Sequence, residues 1–113
     1  MAIQEWSERI WLVQLTDEPG FSDELRPLTD RLIGMEEPPA LVIDLSDVAQ
    51  INSSNLSQLL RLRKAMIERD TPIRLAGPTD AVWSVFIMTG LDKVFHFSQD
   101  TSIALTELQL AQK

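Results

Sequence analysis

The chain has 113 residues, enough for one compact domain with a single core and too few for two ordinary domains. It contains no cysteine, which excludes disulfides, thiolate metal sites and cysteine nucleophiles. Its net charge of −7 argues against partners such as nucleic acid or an anionic membrane surface, so we expect a protein partner. No apolar run approaches the roughly 18 residues of a membrane helix, and the N-terminus lacks a signal-peptide pattern. These features predict a cytoplasmic protein without membrane insertion.

The first predicted elements are two short strands and a helix. Residues 10–15 form an apolar run with β-branched members, and residues 2–6 can pair with it as a hairpin. The helix that follows carries an apolar stripe at helical spacing, made by Leu25, Leu28, Leu32 and Met35. Because proline is tolerated only in the first turn of a helix, Pro27 predicts a start near residue 23 or 24.

Strands and helices alternate through the rest of the chain. The predicted elements are a buried central strand over 38–45, a leucine-rich helix over 54–70, a strand over 71–78, a helix over 79–90, a strand over 94–97 and a helix over 100–112. This alternation predicts one α/β domain over residues 1–113, with a mostly parallel sheet of four or five strands, a mixed edge and about four helices.

The groups that catalysis needs are missing from the sequence. The one histidine, His96, lies in the apolar run 94–97, where a structural role is expected. The four glycines are too far apart to form a phosphate-cradling loop, and no carboxylate pair is singled out by its surroundings. We therefore predict a protein that is not an enzyme and that needs no metal or cofactor.

Two adjacent serines, Ser53 and Ser54, stand at the start of the leucine-rich helix. One interpretation is a redundant capping run over residues 52–55, with Asn55 and Gln58 resembling a capping box. The other is a phosphorylation site, because a helix N-terminus offers free amides and the positive end of the dipole. A phosphoserine adds a charge of about −1.5 to −2, which would disrupt an apolar interface with a docked protein.

The stretch "ALVIDLSDVAQINSSNLSQLLRLRKAM" (40–66) and the distant "GLDKVFHF" (90–97) together resemble STAS domains, the fold of bacterial anti-sigma factor antagonists. The resemblance runs from about Ile10 to Leu108. It implies that a serine is phosphorylated by a partner kinase that is itself the anti-sigma factor, and that the unmodified domain binds this kinase and frees a sigma factor. It also implies a metal-dependent serine phosphatase that resets the domain. The phosphoacceptor position falls on Ser54, with Ser53 as the second candidate.

The motif departs from the family's pattern at two positions. Asn52 replaces the acidic residue before the serines, and Asn55 replaces the glycine after them. These departures favour an alternative function, a scaffold subunit of a signalling assembly or membrane transport complex that does not cycle through phosphorylation. A small enzyme or nucleotide-binding domain is the other alternative, and the lack of a glycine loop argues against it.

A second candidate surface lies on the helix over 79–90, which is apolar on nearly every side. Trp83 and Ile87, four residues apart, share one stripe. Either the last helix or the N-terminal segment covers them, or they anchor a partner or a second copy of the chain, a role that tryptophan often has. The predicted partner-binding residues are therefore Asn52, Ser53, Ser54, Asn55, Trp83 and Ile87.

Overall fold

A five-stranded mixed sheet organises the chain, in a computed structural model that describes residues 2–112. The strands lie side by side in chain order: β1 (Ile3–Ser7), β2 (Ile10–Thr16), β3 (Ala40–Asp47), β4 (Ile73–Ala76) and β5 (Phe97–Ser98). The helices are α1 (Gly20–Ile33), α2 (Ser53–Glu68), α3 (Asp80–Thr89) and α4 (Thr101–Ala111). β1 is antiparallel to β2, and the remaining neighbours are parallel. The predicted single α/β domain with a mixed edge is confirmed.

The core lies on both faces of the sheet. Right-handed crossovers between strands that follow one another in order place the connecting helices on the same side, and α1, α2 and α3 indeed share one cluster with Trp11, Leu41 and Leu75. On the opposite face, α4 packs its Ala104, Leu105 and Leu108 against β2, β3 and β4. Both faces of β3 are therefore covered, which explains its continuous apolar run.

Helix α1 begins earlier than the sequence predicts. It starts at Gly20, so Pro27 lies inside the helix and the predicted start near residue 23 or 24 is wrong. Pro27 has no backbone N–H, so the carbonyl of Asp23 lacks its helical donor. Both residues are exposed, so water can donate a hydrogen bond to that carbonyl. A buried stripe that brackets Pro27 on both sides holds the helix on the core: Phe21, Leu25, Leu28 and Leu32.

The predicted strand over 94–97 is largely wrong. A short 3-10 turn, Leu91–Lys93, follows α3, and β5 contains only Phe97 and Ser98. The apolar run makes irregular contacts instead, since Phe95 packs its ring against Phe86 at 5.9 Å between centroids. His96 is exposed and lies outside the strand, so the position in an apolar strand that the sequence predicts for it is wrong.

Loops at the carboxyl ends of the parallel strands carry the helix starts. Asp44, buried at the end of β3, accepts a hydrogen bond from the backbone N–H of Ser46 at 3.0 Å, as expected for an acid before a turn. Thr79 caps α3, and its hydroxyl also donates to the carbonyl of Val48 in the loop before α2. The starts of α2 and α3 are thereby held at the same end of the sheet.

Candidate functional site

A capping box closes the first turn of α2. Asn52 precedes the helix in an extended conformation, and its Oδ1 accepts from the backbone N–H of Asn55 at 2.8 Å. Asn55 returns the contact, because its Oδ1 accepts from the backbone N–H of Asn52 at 3.1 Å. The two asparagines satisfy two helix-end donors reciprocally. The box suggested by the sequence, between Asn55 and Gln58, is wrong.

Ser53 and Ser54 take no part in this capping. They are the first two residues of α2, both are exposed, and neither hydroxyl makes a hydrogen bond within residues 2–112. Their backbone N–H groups, at the first two helical positions, have no acceptor inside the helix. A redundant capping run therefore does not describe residues 52–55, and both hydroxyls are available to an external reagent.

The two serines point in different directions. Ser54 shares a helical flank with Gln58 and Arg61, at positions i, i+4 and i+7. That flank faces α1, because Gln58 contacts Ser22 and Arg61 forms a 2.7 Å salt bridge with Asp30. Ser53 belongs instead to an exposed stripe that continues through Ser57, Leu60 and Lys64. A group attached to Ser54 would lie beside α1, whereas one attached to Ser53 would point into solvent.

A polar network joins α1 to α2 beside Ser54. The Gln58 amide satisfies its neighbours when its oxygen faces α1, where it accepts from Nε of Arg26 at 3.1 Å and from Nη2 of the same guanidinium at 3.3 Å, and where it lies 3.0 Å from the Ser22 hydroxyl oxygen. The Ser22 hydroxyl in turn donates to Glu18 at 2.7 Å. Sequence reasoning did not single out these residues. The spacing of 18, 22 and 26 suggests one helix face, but only the packing of the two helices shows what that face meets.

Glu18 supplies the cap that α1 lacks. The N-cap position is Pro19, whose side chain has no group that can donate or accept a hydrogen bond. Instead, Glu18 Oε1 accepts from the backbone N–H of Ser22 at 2.7 Å. The Ser22 hydroxyl, the Ser22 backbone N–H and the positive charge of Arg26 hold the pKa of Glu18 below its ordinary value. The Asn55 side-chain amide beside Glu18 lowers this pKa further.

A cleft of about 460 Å³ opens between the start of α1 and the start of α2. Its far wall is the loop before α2, which Asp17 holds by accepting from the backbone N–H groups of Ala49 at 2.9 Å and Gln50 at 3.1 Å. Asn55 lines the cleft with its side chain turned inward, only 1% of the residue being exposed. Its Nδ2 is buried without an acceptor. Asn55 therefore shapes this loop from within and leaves the surface around Ser54 uncrowded.

The second candidate surface, on α3, is only partly open. Trp83 is half-buried, and its ring packs edge-on against Phe97 with 4.9 Å between centroids. Ile87 is 50% exposed, and Met88, which the sequence analysis did not select, is 84% exposed. One interpretation of the sequence is that α4 or the N-terminal segment covers Trp83. The aromatic ring that packs against Trp83 belongs instead to β5. Ile87 and Met88 form the open part of this surface.

Other kinds of site find no support in the described part of the chain. Residues 2–112 contain no group of three or more His, Asp or Glu side chains placed to hold a metal ion. Over the same residues, no helix combines the length and the apolar character needed to cross a bilayer.

Comparison with known proteins identifies the family. The family model described as "STAS domain" matches residues 5–104. The chain belongs to the STAS domain family. This STAS domain has no match among curated protein sequences.

Solved structures share its fold at low sequence identity. An anti-sigma-factor antagonist (STAS) domain protein from Planctomyces limnophilus is 19% identical, with a TM-score of 0.79 over 95% of this chain and 97% of that one. An anti-sigma factor antagonist from Mycobacterium paratuberculosis is 24% identical, with a TM-score of 0.77 over 95% and 91%. The Bacillus cell fate determinant SpoIIAA in its phosphorylated form is 13% identical, with a TM-score of 0.72 over 94% and 96%.

Proposed function

We propose that this STAS domain is an anti-sigma factor antagonist that binds an anti-sigma serine kinase and is switched off by phosphorylation of Ser54. The observation that carries the proposal is the division of tasks at the start of α2. Two asparagines complete the capping, and Ser54 is left exposed with a free hydroxyl. Two structural neighbours are described as anti-sigma factor antagonists, and a third, SpoIIAA, is in a phosphorylated form, which supports the same function.

The proposed cycle needs no catalytic group in this domain. The kinase transfers the γ-phosphoryl group of ATP to Ser54 Oγ, so that the Oγ–P bond forms, the bond to ADP breaks and the hydroxyl proton leaves. The unmodified domain occupies the kinase and frees a sigma factor in the cytoplasm, which makes the domain a regulator of transcription. The added charge of about −1.5 to −2 then repels the docked kinase. A metal-dependent serine phosphatase removes the phosphate by hydrolysis.

The departures at Asn52 and Asn55 remain the argument for the second candidate, a scaffold that binds its neighbours without a phosphate cycle. The inward position of Asn55 weakens that argument, because its bulk does not stand where a kinase approaches Ser54. Asn52 keeps the capping function of an acidic residue without its charge.

The proposal is tested by incubating the full chain with the anti-sigma-type serine kinases of its own genome and Mg-ATP, followed by mass spectrometry with site mapping. We expect one phosphate, on Ser54, that is lost in Ser54→Ala and retained in Ser53→Ala. A phosphate on Ser53 alone would move the switch to the second candidate and overturn the assignment of Ser54. An unmodified chain with every kinase would favour the scaffold.

A further inference from the structure

An arginine that forms no salt bridge lies beside the flank of α2 that carries Ser54. Arg26 reaches across from α1 to Gln58, one helical turn after Ser54 on the same flank. Long side chains on a helix lean toward its N-terminus, so the Gln58 amide that Arg26 contacts lies toward the level of Ser54. Among the described residues Arg26 is in no salt bridge, whereas Arg61, further along the flank, is paired with Asp30 at 2.7 Å.

Further donors without acceptors surround the same position. The backbone N–H groups of Ser53 and Ser54 have no intrahelical acceptor. A phosphate offers several acceptor oxygens to such donors, and an arginine fork matches two of them at once.

The phosphate has no better cation nearby. The charged groups on this side of the domain are Arg26 from α1, Asp17 and Glu18 from the loop before α1, and the Asp30–Arg61 pair further along. Gln58, the present partner of Arg26, is neutral, whereas a phosphate carries the opposite charge and matches the arginine fork with two oxygens at once. Exchanging Gln58 for the phosphate is therefore favourable for Arg26.

We propose that Arg26 leaves Gln58 and binds the phosphate of phosphorylated Ser54, so that the modified state is held by a bond between α1 and α2. This inference rests on the proposed function only in taking Ser54 as the modified residue. The bound phosphate lies over the edge of the cleft lined by Glu18, Asn52 and Asn55. The modification thus both adds charge and covers part of the surface where a partner would dock.

The test uses the full chain with phosphoserine incorporated at position 54 during translation, which requires no cognate kinase. The second pKa of the phosphate is measured by a ³¹P NMR titration. A neighbouring cation stabilises the dianion, so we expect this pKa to be lower by about half a unit or more than in the same phosphoprotein carrying Arg26→Gln. Arg26→Lys should recover part of the difference, since lysine keeps the charge but not the fork.

Two controls separate a specific contact from a general field. A chain with phosphoserine at position 53 should show the same phosphate pKa with and without Arg26→Gln, because Ser53 points away from α1. Arg61→Gln should change the pKa of the Ser54 phosphate less than Arg26→Gln does. Equal phosphate pKa values with and without Arg26, in folded chains verified by circular dichroism, would overturn the inference. That result would leave the kinase experiment on Ser54 unaffected, so the two proposals fail separately.

Discussion

At the scale of single residues, the start of α2 divides capping and exposure among four neighbours. Asn52 and Asn55 close the capping box, and Ser53 and Ser54 remain free. The sequence predicted a cap somewhere in 52–55 but not which residue supplies it, because asparagine and serine cap helices about equally well. Which residue caps the helix depends on where the helix starts, and the packing of Leu56 and Leu59 on the sheet determines that start.

The capping box leads to a stability prediction. We expect Asn52→Ala and Asn55→Ala each to lower the free energy of unfolding by about 1 kcal/mol or more, since each leaves a helix-end donor without its acceptor. Ser53→Ala and Ser54→Ala should change it by less than about 0.5 kcal/mol, because exposed serines that form no contacts are replaced by a better helix former. Urea denaturation measures all four. A loss in Ser54→Ala as large as in Asn52→Ala would mean that Ser54 is structural.

Glu18 gives a prediction on pH dependence. Its pKa is lower in the folded chain than its ordinary value of 4.5, so the carboxylate stabilises the fold above that pH, and the contribution disappears as the pH falls through the lower folded value. The difference in melting temperature between the wild type and Glu18→Gln should therefore be largest near neutral pH and shrink below pH 4.5.

Ser22→Ala provides the matched background for this measurement, because it removes the hydroxyl that contributes most to the lowered pKa of Glu18. In that background the effect of Glu18→Gln on the melting temperature should depend less on pH. An effect that is the same at pH 3 and at pH 7 in the otherwise unmodified chain would contradict the assigned role of Glu18.

At the scale of elements, local patterns predicted the helices better than the last strand. Thr79 and Gly90 mark the ends of α3 as predicted, with Gly90 in the left-handed conformation at φ 76°. The apolar run 94–97 misled because the rings of Phe95 and Phe97 both pack on Phe86, which gives the run the burial of a strand. Of these residues, only Phe97 belongs to β5, where it pairs with Leu75 of β4. In α1, burial of the apolar stripe outweighs the free-energy cost of having Pro27 inside the helix.

Helix α3 separates stability from binding. Trp83 packs against Phe97, so we expect Trp83→Ala to lower the free energy of unfolding by about 2 kcal/mol. Ile87 and Met88 lie on the open surface, so Ile87→Ser and Met88→Ser should change the free energy of unfolding by less than about 0.5 kcal/mol.

If α3 is a contact surface, these two variants weaken binding of a partner or of a second copy by about tenfold. Thermal unfolding and analytical ultracentrifugation measure the two effects, and unchanged association in both variants would remove α3 from the interface.

At the scale of the whole molecule, the alternation of strands and helices predicted the topology that the structure has. Right-handed crossovers between strands in chain order explain why α1, α2 and α3 lie together, which in turn brings Arg26 beside the flank of Ser54. The contact between α1 and α2 could not be predicted residue by residue, since the relative rotation of two packed helices depends on the fit of all their buried side chains. The sequence therefore predicts Ser54 as a candidate switch residue but does not predict its surroundings.

In the proposed switch, a phosphate on Ser54 is incompatible with a bound kinase. The most direct measurement is isothermal titration of the anti-sigma kinase with the unmodified chain, with the chain carrying phosphoserine at position 54, and with Ser54→Ala. We predict that the phosphorylated chain binds at least about tenfold more weakly than the unmodified one, a difference of about 1.4 kcal/mol or more, and that Ser54→Ala binds like the unmodified chain. Equal affinities for all three would contradict the claim.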